Sequence, residues 1–132
     1  MVKMKGERIG NDLDPYIIAV LKSIQEDTTY PDYISKEYYL QIKGNMKEYD
    51  DWLVGFVGYG CSFSGKFFGG KFFGGYASNK RGRIYTKEAK NSLLKIKGLL
   101  DDVKLTCGSY LKMDIPPNSL IYCDPPYANT TK

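Results

Sequence analysis

Apolar residues at Ile17, Ile18, Leu21 and Ile24 recur at helical spacing. Asp14 suits the N-cap and Pro15 the first helical position, so the pattern predicts a helix over 15–26. Just upstream, Arg8-Ile9-Gly10 reads as the end of a short strand, with Asn11-Asp12-Leu13 leaving the sheet. Asp27 to Asp32 is polar and contains Pro31, which predicts a loop. Ser35 caps a second, shorter helix that fades at Gly44-Asn45. Ile34 and Tyr39 flank that cap with the spacing of a hydrophobic staple.

The middle of the chain is dominated by glycine and aromatic residues. Trp52 to Gly65 leads into KFFGG, which occurs twice, at 66–70 and 71–75. A five-residue insertion in a helix would rotate all that follows by about 500°, or about 140° net, so the duplication is expected in a loop. Asn79-Lys80-Arg81-Gly82-Arg83 is a basic turn. Thr86 is expected to cap a third helix over 87–98, with Ala89, Leu93, Leu94 and Ile96 among its apolar positions. Val103-Lys104-Leu105-Thr106-Cys107 reads as a strand, and Leu120-Ile121-Tyr122-Cys123 as a second, fully buried one. A helix followed by two short apolar strands is an α/β signature.

Composition narrows the chemistry. A chain of 132 residues has room for one domain, and 42% hydrophobic with 26% charged residues is neither disordered nor membrane-spanning. The net charge of +4 is compatible with a polyanion partner without pointing to one. There is no histidine, which excludes a Ser-His-Asp triad, a Cys-His pair, His-ligated zinc and an imidazole base. Cys61, Cys107 and Cys123 are too far apart for a zinc knuckle and odd in number, so neither a metal nor a disulfide framework is expected. Two of the three lie in apolar runs and read as small core residues. With no signal peptide and no apolar run long enough to span a membrane, a cytoplasmic setting is expected.

The last predicted strand runs directly into Asp124-Pro125-Pro126-Tyr127. Ligand sites of open α/β sheets lie at the carboxyl ends of strands. An aromatic amine is a poor nucleophile because its lone pair is delocalised into the ring. The Asp124 carboxylate can accept one amine proton, and the Pro125 carbonyl the other. Consecutive prolines fix φ, so that carbonyl is aimed in advance. Two acceptors on one amine localise its lone pair, and Tyr127 offers a flat face for stacking a base.

This segment resembles the (D/N)PP(Y/F) motif of S-adenosylmethionine-dependent amino-methyltransferases. In its Asp form it is similar to the Dam-like adenine-specific DNA methyltransferases. Asn11-Asp12-Leu13-Asp14 resembles the acidic strand end of that family, which implies that Asp12 accepts hydrogen bonds from the cofactor's ribose. Cys107-Gly108-Ser109-Tyr110 resembles the segment that meets the cofactor's adenine; Ser109 stands where many members have Asp, so the aromatic role falls to Tyr110. The stretch from Gly55 to Tyr76 resembles a glycine-aromatic segment of phage and prophage members. The resemblance covers most of the chain.

It implies a partial Rossmann-like S-adenosylmethionine-dependent methyltransferase fold with an inserted, mostly helical target-recognition region. The catalytic part would comprise 1–26 and 103–132, and the recognition region 27–102. The implied reaction is methyl transfer to N6 of an adenine flipped out of double-stranded DNA, as in restriction-modification systems. Asp124, Pro125, Pro126 and Tyr127 would be catalytic, with Asp12, Tyr110 and Asp124 at the cofactor. Lys80, Arg81 and Arg83 would touch DNA, and no metal or membrane is implied. The family's F-x-G-x-G cofactor loop lies upstream of the ribose acid. The literal match, Phe56-Val57-Gly58-Tyr59-Gly60, lies downstream, and the window 76–87 that should hold its acidic partner has no Asp or Glu. The chain is therefore expected to be an internal piece of such an enzyme, inactive by itself. The alternatives are a non-catalytic DNA-binding remnant and a methyltransferase acting on another amine, such as a glutamine side chain.

Overall fold

The computed structural model describes residues 6–72 and 84–124 of the chain. Two local caps set the first helices. The Asp14 carboxylate accepts from the Tyr16 backbone N–H at 2.8 Å and Pro15 takes the first position of α1 (Pro15–Gln25). The Ser35 hydroxyl accepts from Tyr38 N at 3.1 Å and opens α2 (Lys36–Gly44). Ile34 and Tyr39, the staple pair, are both buried.

β1 (Arg8–Asp12) and β2 (Val103–Cys107) form a two-stranded parallel sheet, in register from Arg8 opposite Val103 to Asp12 opposite Cys107. β1 thus runs two residues further than the pattern predicts, because Asn11 and Asp12 still pair with Thr106 and Cys107. A parallel pair needs a long crossover, and here it contains every α-helix among the described residues. The result is an α/β arrangement in which the helices outweigh the sheet.

The glycine-aromatic middle contains a helix, α3 (Asp51–Gly60), that packs chiefly on α1. Gly55, Gly58 and Gly60 each disfavour helix by about 1 kcal/mol relative to Ala. Close packing offsets that. A Cβ on Gly55 would sit 2.6 Å from the Tyr16 carbonyl oxygen, and one on Gly58 would sit 2.4 Å from the Phe67 ring. The F-x-G-x-G string is therefore the second half of a buried helix, and its first glycine admits an aromatic ring.

The core spans the segments on both sides of residue 27. Val20 and Ile24 of α1 pack with Tyr30, Ile34, Tyr39, Ile42, Val54, Phe56, Val57, Cys61 and Phe68. The described part of the KFFGG duplication is not helical, in line with expectation. Phe68 and Phe72, one from each copy, both lie against Tyr39, at 5.2 and 5.0 Å between centroids.

Three sequence expectations are corrected. Thr86 does not cap a helix. α4 (Tyr85–Lys95) starts one residue before it, and Thr86 is fully buried with its hydroxyl 3.6 Å from the Cys61 sulfur. After Ile96 a short α5 (Lys97–Leu100) leads to β2. Of the cysteines, Cys61 alone is in the core, while Cys107 and Cys123 are exposed. Leu120 to Cys123 form no strand. Leu120 is 78% exposed and Tyr122 90% exposed. An apolar run becomes a strand only against a partner's N–H and C=O groups, and none of the described residues supplies them.

Candidate functional site

β1 and β2 end side by side, and their exits are tied together. Gly108 N donates to the Asp12 carbonyl at 3.0 Å. The Asn11 amide donates to the Gly108 carbonyl at 2.9 Å and accepts from the Thr106 hydroxyl at 2.8 Å. Gly108 has φ of +147°, a conformation that only glycine adopts at little cost. This turn delivers Ser109, whose hydroxyl accepts from Leu111 N at 3.3 Å, and then Tyr110, which is 69% exposed. Asp12 and Tyr110, two of the three residues expected at a cofactor, thus emerge from paired strands at the same end of the sheet.

The acidic turn after β1 is held just as firmly. Asp12 Oδ1 accepts from Asp14 N at 2.8 Å, while its Oδ2 has no donor among the described residues. Asp14 caps α1 with Oδ1, and its Oδ2 accepts from the Tyr59 hydroxyl of α3. Burial first, and then the Asp14 and Asp12 carboxylates, push the Tyr59 phenol far above its ordinary range, so it stays a donor. Phe67 stacks on Tyr16 at 5.2 Å and lies 4.9 Å from Tyr59, so an aromatic wall backs the turn.

This electrostatic arrangement selects among ligands. A helix N-terminus after a strand is ordinarily an anion site. Here the Asp14 carboxylate already occupies it. Two carboxylates in three residues repel phosphate and favour hydroxyl donors or a cation. The edge therefore favours a hydroxyl-bearing or cationic group over a phosphate.

Asp124 is exposed and makes no hydrogen bond or ion pair with another described residue. Pro125, Pro126 and Tyr127 lie outside the described residues, as do Lys80, Arg81 and Arg83. No helix among the described residues is long and apolar enough to cross a membrane, and no cluster of His, Cys, Asp and Glu among them could hold a metal. A shallow groove of ≈ 350 Å³ between α3 and α4, lined by Ser62, Tyr85 and Glu88 among others, contains none of the expected site residues.

Three residues of this edge lie inside the quoted motifs, yet none is given a role by them. Asn11 reads as part of a turn, yet its amide joins both strand ends. Tyr59 is hidden inside a glycine pattern. Gly108 betrays itself only by following an apolar strand directly. No known protein family, curated protein or solved structure matches the chain.

Proposed function

We propose that the chain is of the adenine-specific DNA methyltransferase lineage, with a Rossmann-like half-site for S-adenosylmethionine. The observation that supports this most is the acidic strand edge itself. Among the described residues, Asp12 keeps one carboxylate oxygen free of donors, beside a helix N-terminus already filled by Asp14. That favours a ribose-bearing, phosphate-free, cationic cofactor, and S-adenosylmethionine meets all three conditions. In this reading Asp12 accepts the ribose hydroxyls and Tyr110 lies against the adenine. S-adenosylmethionine supplies the electrophilic methyl group. Asp124 and the Pro125 carbonyl would accept hydrogen bonds from the two N6–H groups of the target adenine and localise its lone pair; as the N6–methyl bond forms, the sulfonium's S–methyl bond breaks and one N6 proton is lost to solvent. Pro126 fixes the direction of that carbonyl, and Tyr127 stacks on the flipped base. Unstacking the target costs a few kcal/mol and stacking returns about 1–3 kcal/mol. Lys80, Arg81 and Arg83 contact the DNA backbone or base edges.

Titration calorimetry with S-adenosylmethionine tests the cofactor half. Incubation of the full-length protein with labelled cofactor and duplex DNA, then digestion to nucleosides, tests the reaction. N6-methyladenine that disappears in Asp124→Ala is the expected result; product that persists in that variant refutes the mechanism.

A second reading is a non-catalytic DNA-binding chain. It is favoured by the exposure of Leu120, Ile121 and Tyr122, which leaves Asp124 without a strand to hold it. It predicts salt-dependent DNA binding with no heat of cofactor binding.

A further inference from the structure

We infer that Tyr59 is a positioning residue for Asp12, acting through Asp14, and that it sharpens selection for a ligand with free ribose hydroxyls. The inference rests on the reading of Asp12 as the ribose acceptor. It deepens that reading by bringing in a helix that the motifs leave out of the site.

The argument is a chain of contacts. The Tyr59 hydroxyl donates to Asp14 Oδ2, and Tyr16 N donates to Asp14 Oδ1 at 2.8 Å. Both oxygens of Asp14 are thereby tied, one from α3 and one from α1. The residue's own N–H then donates to Asp12 Oδ1 at 2.8 Å. Asp12 is left with a fixed carboxylate whose second oxygen has no donor among the described residues. Tyr59 is held by Phe67, 4.9 Å away, and Phe67 enters over Gly58, where a Cβ would come within 2.4 Å of its ring. So α3 and the first KFFGG copy both bear on the acidic turn. Without the hydroxyl, Asp14 still caps α1 but keeps one tether. The Asp14 backbone, whose N–H fixes Asp12 Oδ1, is then anchored from α1 alone, and the Asp12 acceptor is held less firmly in direction.

The test uses the full chain and two probes, S-adenosylmethionine and its analogue lacking both ribose hydroxyls. Wild type is expected to prefer the ribose form. Tyr59→Phe keeps the ring against Phe67 and removes only the hydroxyl. It is expected to weaken S-adenosylmethionine binding about three- to tenfold, the worth of one ordinary hydrogen bond, and to leave analogue binding unchanged. Asp12→Asn should remove the preference, and the double variant should be no weaker than Asp12→Asn alone. Should Tyr59→Phe fail to fold, Asp14→Asn serves instead. It keeps the α1 cap through its amide oxygen, loses the second acceptor for Tyr59, and should show the same ligand-dependent loss. Equal weakening of both probes, or full additivity with Asp12→Asn, overturns the positioning role while the ribose reading stands. A wild type that binds neither probe, or both equally, overturns the ribose reading and this inference with it.

Discussion

Gly55 of α3 lies directly against the backbone of Tyr16 in α1: a Cβ at Gly55 would sit 2.6 Å from the Tyr16 carbonyl oxygen. The obstacle is main chain, so it cannot rotate away. Gly55→Ala gains up to about 1 kcal/mol of helix propensity. It must also push apart the two helices that form the centre of the core, and overpacking of that kind costs about 1–3 kcal/mol. The net effect expected is destabilisation, read as a lower urea midpoint. Gly98 in α5 is the control, since nothing lies within 4 Å of its Cβ position. Gly98→Ala should raise the midpoint. Equal shifts of one sign for both variants would refute the packing role.

That contact also marks the limit of what the sequence reveals. α1 and α2 are legible because Asp14 and Ser35 act within three residues of themselves. α3 is not, because its helicity depends on Tyr16, Val20 and Phe67, none of which its own periodicity reports. Thr86 looks like a cap because cap chemistry is local, but Cys61 draws it into the core. The apolar run at 120–123 has the composition of a buried strand, and composition does not name a strand's neighbour. The candidate site divides in the same way. Asp12 and Tyr110 are visible as separate motifs, whereas their emergence at one sheet end follows from the parallel register. The link from Tyr59 to Asp14 spans 45 residues and leaves no mark on either segment.

Cys61 gives a pH signature. Burial raises its thiol from an ordinary 9.0 to about 11, with the Thr86 hydroxyl lowering it slightly. Between those values the unfolded chain ionises and the folded one does not. The stabilisation is therefore full below about 9 and is lost as pH rises towards 11. Wild type should lose stability over that window more steeply than Cys61→Ala. In the native state a thiol reagent at pH 8 should label Cys107 and Cys123 and reach Cys61 only on unfolding. Rapid labelling of all three would contradict the burial.

The duplicated KFFGG allows an unusual deletion. Removing 66–70 or 71–75 produces the same sequence. The remaining copy can fill the places of Phe67 and Phe68, so the chain should still fold. It would lose the Phe72 contact with Tyr39, and a lost aromatic pair costs about 0.5–1.5 kcal/mol beyond its buried area. Phe68→Ala, which leaves a core position empty, should cost more, about 3–5 kcal/mol. Thermal melting of the two variants checks the order; a deletion more damaging than Phe68→Ala would show that both copies are needed.

Gln25 closes the crossover. Its amide nitrogen donates to the Leu100 carbonyl at 2.7 Å and to the Val103 carbonyl at 2.8 Å. The first is a carbonyl at a helix C-terminus, which has no partner within its own helix. The second lies at the start of β2. One side chain at the end of α1 thus fixes where the returning chain enters the sheet, and with it the register that sets Cys107 opposite Asp12. Gln25→Ala should cost about 1–3 kcal/mol, since it leaves two partly buried acceptors without their donor. Gln25→Glu should cost more near neutral pH, because a carboxylate facing two carbonyl oxygens repels both. Protonating that Glu restores one donor, so its deficit relative to wild type should shrink as the pH falls towards about 4. Denaturation at pH 7 and at pH 4 reads this directly. A Glu variant as stable as wild type at pH 7 would mean that the clamp does not hold the strand entry.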